Sequence, residues 1–243
     1  LALEKARGNG RDDYPIRATW NSILAGIVFE HGKISTLRSD LRRNPALRYR
    51  CGFDPLLGVK AVPSANSYTN IFKSLIKHQH LVTAIFEKLV KLISGQLPDF
   101  GRTTAVDGKT IQSRAKYKTD KPAGDNRRDA DAQWAVKTYP LKEGKTTKKV
   151  SILGYTLHLL VDANYELPIQ RKVTPGNVDE KVSAAELIEN CSEPMQEAIE
   201  YCIADKGYDS GPLKLGLLRK HDIKAVMDTR DLTNSEYSVA GDN

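Results

Sequence analysis

The periodicity of this chain changes once, near residue 103, and that change limits the fold more than any other feature. Ahead of it, apolar residues recur every three or four positions. Ile16, Trp20, Ile23, Leu24, Ile27 and Val28 share one face of a helix that Pro15 can open. Ile34, Leu37 and Leu41 mark a shorter second helix ending near Asn44-Pro45. Ser67 is placed to cap a third helix, with Tyr68, Ile71, Phe72, Leu75 and Ile76 as its apolar face. A fourth runs from Leu81 to Leu92 through Ile85, Phe86 and Leu89. Each stripe is expected to face a core.

From residue 103 the runs become short and β-branched. Thr103-Thr104-Ala105-Val106 reads as a buried strand that stops in an Asp107-Gly108 turn. Residues 112–149 are polar, without a sustained period, and read as a long basic loop. Strands follow over Ser151 to Ala163 and Pro168 to Thr174, joined by a turn at Asn164-Tyr165-Glu166. A helix over 179–190 carries Val182, Ala185, Leu187 and Ile188. Ala198 to Ala204 is the next strand, then a helix from Pro212 to Lys220 and a strand from Ile223 to Met227. The expected architecture is α/β: a mixed sheet over 101–243, preceded by an all-helical domain over 1–100.

Charge divides the chain differently. Residues 1–150 hold 28 Lys and Arg against 14 Asp and Glu, a net +14, while residues 151–243 hold 9 against 16, a net −7. A half this basic suits a polyanion, because neutralised phosphates release counterions. Apolar residues at 40% and charged residues at 28% fit a soluble globular protein. No stretch approaches the roughly 18–20 apolar residues that a membrane helix needs, so no membrane partner is expected. The charges of residues 1–15 exclude a signal-peptide core. The opening Leu1 hints at a trimmed or partial sequence. Cys51, Cys191 and Cys202 are far apart and form no CxxC pair, which argues against zinc or a disulfide framework and for a reducing, cytoplasmic setting.

Asp107 and Asp205 each follow a short apolar strand and closely precede a glycine. Carboxylates brought together at strand ends suit Mg²⁺, a hard cation that takes a few such oxygens and keeps water or phosphate. Each could equally open a turn, and both readings stand at this point. Lys109 and Lys206, beside them, are candidates for holding DNA phosphates. Arg114, Arg127 and Arg128 in the basic loop, and Arg42 and Arg43 on the second helix, are further DNA-binding candidates. Arg38, Arg48 and Arg50 lie on or near that helix and could join them or form a solvated face. Gly108-Lys109-Thr110 resembles a P-loop ending, but Thr103 stands where its first glycine belongs, which excludes nucleotide binding. His78 and His80 read as a surface pair, His158 as a packed wall residue, Tyr208 and Trp134 as core, and Asp209 as the cap of the helix near Pro212.

Four motifs in order carry a resemblance. Thr104-Ala-Val-Asp-Gly-Lys-Thr-Ile111 resembles the first-aspartate motif of DDE transposases from bacterial insertion sequences, and Ile203-Ala-Asp-Lys-Gly-Tyr-Asp-Ser210 resembles the second. Gly154-Tyr-Thr-Leu-His-Leu-Leu-Val-Asp-Ala163 and Val173-Thr-Pro-Gly-Asn-Val178 are similar to the family's second strand and the end of its third. The stretch Tyr14 to Pro55 is similar to the helical domain ahead of the catalytic one. The resemblance implies a ribonuclease H-like core in which Asp107 and Asp205 are the first two metal-binding, catalytic carboxylates. It also implies two Mg²⁺ or Mn²⁺ ions, double-stranded DNA as element ends and target, a homo-oligomer on that DNA, and action at the bacterial nucleoid. The family's third acid is a Glu on a helix past the fifth strand, within a Tyr…Arg…Glu pattern. Nothing after Met227 matches, and Glu236 lacks that setting, so the third acid is expected beyond Asn243. Two rivals remain: a non-catalytic DNA-binding protein derived from a transposase, and a ribonuclease H-like nuclease that cuts without joining.

Overall fold

The computed structural model describes Glu4 and residues 14–115, 129–140 and 147–228. Arg127, Arg128, Glu236 and much of the expected basic loop lie outside the described residues. Contacts divide the chain into two units, Leu1–Leu89 and Val90–Asn243.

The first unit is helical. Helices α1 (Ile16–Val28), α2 (Ile34–Arg43), α3 (Pro45–Cys51) and α4 (Ala65–Lys77) follow in order, with a 3₁₀ segment at Pro55–Ala61, and α5 (Gln79–Ser94) begins in this unit and ends past its last residue, Leu89. Helix α3 went unread in the sequence; Asn44 caps it, its Oδ1 accepting from the Leu47 N–H at 3.0 Å. The cap of α4 is Ser64, whose Oγ accepts from the Ser67 N–H at 3.1 Å, so the expected cap at Ser67 is three residues late. The expected apolar faces also need correction. Helix α1 buries its small residues, Ala18, Thr19, Ser22 and Gly26, while Ile27 and Val28 stay 70% and 76% exposed. Small side chains at every fourth position let α2 approach closely: a Cβ at Gly26 would lie 3.1 Å from Leu37 Cδ2. Ser22 also ties α1 to α4 through a 2.8 Å hydroxyl hydrogen bond with Tyr68. Phe72, Ile76, Ile85, Leu89 and Leu92 on α4 and α5 are likewise exposed.

The second unit is a six-stranded mixed sheet. Its strands are β1 (Thr103–Gln112), β2 (Gln133–Pro140), β3 (Thr147–Asp162), β4 (Pro168–Pro175), β5 (Tyr201–Ala204) and β6 (Lys224–Met227). The order is β2-β3-β1-β5-β6, with β4 also on β3. Strand β3 organises it: β1 lies along one edge, while β2 and β4 share the other end to end. Strands β5 and β6 then add in parallel beyond β1. Gly154 is the handover point on β3, where a Cβ would meet the Ile111 carbonyl oxygen at 2.0 Å, so only glycine fits. Helices α6 (Glu180–Glu189), α7 (Glu193–Ala198) and α8 (Gly211–His221) supply the rest. Val106, Leu160, Cys202 and Ala204 from the sheet meet Ala184, Leu187, Ile188, Leu213 and Leu217 from α6 and α8 in one core. Asp162, fully buried, ties the edge of that core by accepting the N–H groups of Gly101, Asn164 and Tyr165.

Three expectations fail here. Asp107-Gly108 is no turn: the ladder to β3 carries β1 on to Gln112. The basic loop is in part β2 and the start of β3, an edge ladder held by backbone pairing and therefore invisible as an apolar run. Ala198 ends a helix, and β5 begins only at Tyr201. With these changes the second unit has the ribonuclease H-like arrangement of mixed sheet and covering helices.

Candidate active site

Strand β5 is short, and its end creates a notch. Val106 pairs with Ala204 in the last register of the parallel β1–β5 ladder. Asp107 is the next residue on β1 and Asp205 the first past the end of β5, on strands whose axes lie about 5 Å apart. Odd-numbered β1 residues direct their backbone groups at β3, as the Thr103 carbonyl accepting from Ala163 and the Ser113 N–H donating to Leu153 establish. The Gly108 N–H therefore points into the space β5 has left. It donates to Asp107 Oδ1 at 2.7 Å. On the other side of the notch, Asp205 Oδ1 accepts from the Gly207 N–H at 2.9 Å and caps a 3₁₀ turn at Lys206–Tyr208. Both aspartates are exposed, and neither forms an ion pair with a described residue.

The turn-opening reading thus separates the two. Asp205 does cap a turn. Asp107 sits mid-strand, where aspartate is disfavoured, and among the described residues accepts from the amide of its own neighbour.

Behind the notch, on the covered face, lies a group the sequence did not single out. Glu180 opens α6, its carboxylate over Gly108: a Cβ there would meet Glu180 Oε1 at 3.1 Å and Tyr208 Oη at 3.2 Å. Lys137 Nζ, on β2, stands 4.0 Å from the same Oε1. Burial raises the Glu180 pKa against the pull of Lys137, and Asp205, Asp107 and Asp179 raise it further. Tyr208 is 1% exposed, and its hydroxyl has no hydrogen-bond partner among the described residues. Burial above all, then Glu180, Asp107 and Asp205, pushes its pKa up, so it remains a neutral donor. The one signal that could have found Glu180 is its place, first residue of the helix that packs against β3, the neighbour of β1.

A profile of the transposase DDE domain matches residues 98–239, more than half of the chain. The chain belongs to the DDE transposase family. No curated protein and no solved structure matches it. Transposases of this family act on DNA and generally use divalent metal ions. The oxygen donors of the notch suit such a hard cation, yet among the described residues no three His, Cys, Asp or Glu side chains converge closely enough to hold one.

The basic candidates fall into two groups. Lys109, on β1, and Lys206, on the turn after Asp205, flank the two aspartates of the DDE domain and are exposed, as is Arg114 just past β1. On the helical unit Arg42 and Arg43 are exposed as well. Arg48 is buried and donates to the Leu41 and Arg42 carbonyls at 2.7 and 3.0 Å, closing the end of α2. Arg38 donates to the Pro63 carbonyl at 2.9 Å. These two are structural. Two smaller expectations also change: Trp134 is 40% exposed on the edge strand, and Asp209 pairs with Lys214 at 2.6 Å instead of capping α8, whose N-cap is Ser210. His158 is fully buried, as read, and bonds Thr174 Oγ1 at 2.9 Å. Among the described residues no helix is long and apolar enough to cross a membrane.

Proposed function

We propose that this chain is the transposase of an insertion sequence, and that Asp107 and Asp205 are the carboxylates through which it cuts and joins DNA. The observation that carries the reading is the register: Val106 opposite Ala204 makes the two aspartates neighbours where β5 leaves β1. In this reading their free oxygens hold Mg²⁺ or Mn²⁺. The bound ion supplies charge against the oxygens of an in-line phosphoryl displacement. The chain's own residues do the rest. Backbone N–H groups of Gly108 and Gly207 fix one oxygen of each aspartate, so the other meets the ion without rotamer loss. Lys109 and Lys206 hold the scissile-strand phosphates on either side, and the exposed arginines bind the flanking duplex, with Arg127 and Arg128 assigned to the same task. A homo-oligomer brings two element ends together, in the cytoplasm at the nucleoid.

A rival reading has one observation behind it. Asp205 has a structural task in capping its turn, which a non-catalytic DNA-binding descendant would also retain. Nicking of a plasmid carrying the element ends separates the two. Using the protein in its natural reading frame, the proposal expects nicking that chelation stops and Mg²⁺ or Mn²⁺ restores. Binding without nicking at any metal concentration favours the rival.

A further inference from the structure

A carboxylate beside two others is no site by itself; what distinguishes Glu180 is the group aimed at it. The glycine at 108 leaves a gap in the covered face of β1, one residue from Asp107. Two polar atoms enter it, Glu180 Oε1 and Tyr208 Oη, each close enough that an alanine methyl would press on both. Tyr208 is buried to 1% exposure with its hydroxyl unpartnered among the described residues. A buried hydroxyl without a partner costs on the order of 1–3 kcal/mol, and a phenylalanine ring would fill the same core without that cost. A buried phenol whose hydroxyl lacks a partner points to a polar occupant within its reach. The occupant must accept from Tyr208, and Gly108, which both polar atoms border, is the residue next to Asp107. The three carboxylates do not converge on a common point. Direct ligation by all three is therefore not what the geometry provides.

We propose that Glu180, with Tyr208 behind it, is a positioning residue for the divalent cation of the Asp107–Asp205 notch, acting through water in the ion's outer shell. The inference rests on the functional reading above. Mg²⁺ keeps several of its waters in protein sites, so acceptors one shell out set its placement. Glu180 accepts from such a water, and Tyr208 donates into the same cluster. Lys137 at 4.0 Å balances the charge of Glu180. The missing methyl of Gly108 leaves Glu180 and Tyr208 the room they occupy.

The test is Mn²⁺ binding by the whole chain, followed through the loss of the free-ion electron paramagnetic resonance signal, with urea unfolding of each variant alongside. Asp107→Asn is expected to abolish binding. Glu180→Gln is expected to weaken it by about 10- to 100-fold, the usual cost of an outer-shell partner, with the folded state intact. Tyr208→Phe should weaken it less, and Glu180→Asp should recover part of the loss. Gly108→Ala supplies a second route, since it displaces the carboxylate without removing it, and should also weaken binding. Unchanged affinity in both Glu180→Gln and Gly108→Ala, while Asp107→Asn has lost it, overturns this inference and leaves the aspartate reading standing. No Mn²⁺ binding by the unmodified chain overturns both.

Discussion

His158 and Gly154 show what single residues contribute beside the candidate site. His158 lies fully buried on β3 and opposite Gly108. Burial lowers its pKa from the ordinary 6.5, Lys172 and Lys137 lower it further, and Glu186 opposes them. The unfolded chain therefore takes up a proton below pH 6.5 that the folded chain refuses. Stability is fully present above that value and falls as pH drops through it, by at most about 1.4 kcal/mol per pH unit from this residue. Urea unfolding of the wild type and His158→Asn across this range should show the difference; parallel pH dependences would contradict it. The sequence supports a packed His158 through its place in an apolar strand. Beyond its place at the start of a helix it gives no hint of Glu180, which lies 72 residues along the chain from Gly108.

Elements were legible where burial patterned them and obscure where pairing alone made them. The covered helix α6, strand β4 and the core of β3 could be read because Leu160, Ile169, Leu187 and Ile188 face one core. Strand β2 could not, since Trp134 and Val136 are exposed and the strand is paired to β3 through its backbone. The same cause hid the second half of β1, whose residues from Asp107 onward are exposed or half-buried. In the helical unit the apolar stripe of α1 misled, because close approach through Ala18, Ser22 and Gly26 decided its packed face instead. Gly154→Ala tests the sheet's construction. With the Ile111 oxygen 2.0 Å from the new methyl, β1 and β3 must separate, at a cost of about 3 kcal/mol. A loss under about 1 kcal/mol in urea unfolding would show that the ladder yields there without strain.

For the whole molecule, charge and fold cut the chain in different places. The +14 of residues 1–150 spans the helical unit and runs through β1 and β2 into the start of β3. The DDE domain's Asp107, Lys109 and Arg114 thus belong to the basic half, while Asp205 and Glu180 belong to the acidic one. Binding measurements accordingly need the intact chain, since a break at residue 150 would sever β3. Its affinity for duplex DNA should fall roughly tenfold or more between about 50 and 200 mM salt, as expected when several phosphates are neutralised. Affinity independent of salt would contradict an electrostatic grip. The central claim is that Asp107 and Asp205 act by holding metal and not by folding or binding DNA. Cleavage and DNA binding measured together, in the natural reading frame, test it most directly. Asp107→Asn and Asp205→Asn should each abolish Mg²⁺-dependent strand cleavage while duplex affinity stays within about threefold of the wild type, a shift below 1 kcal/mol. Cleavage by either variant at near the wild-type rate would contradict the account.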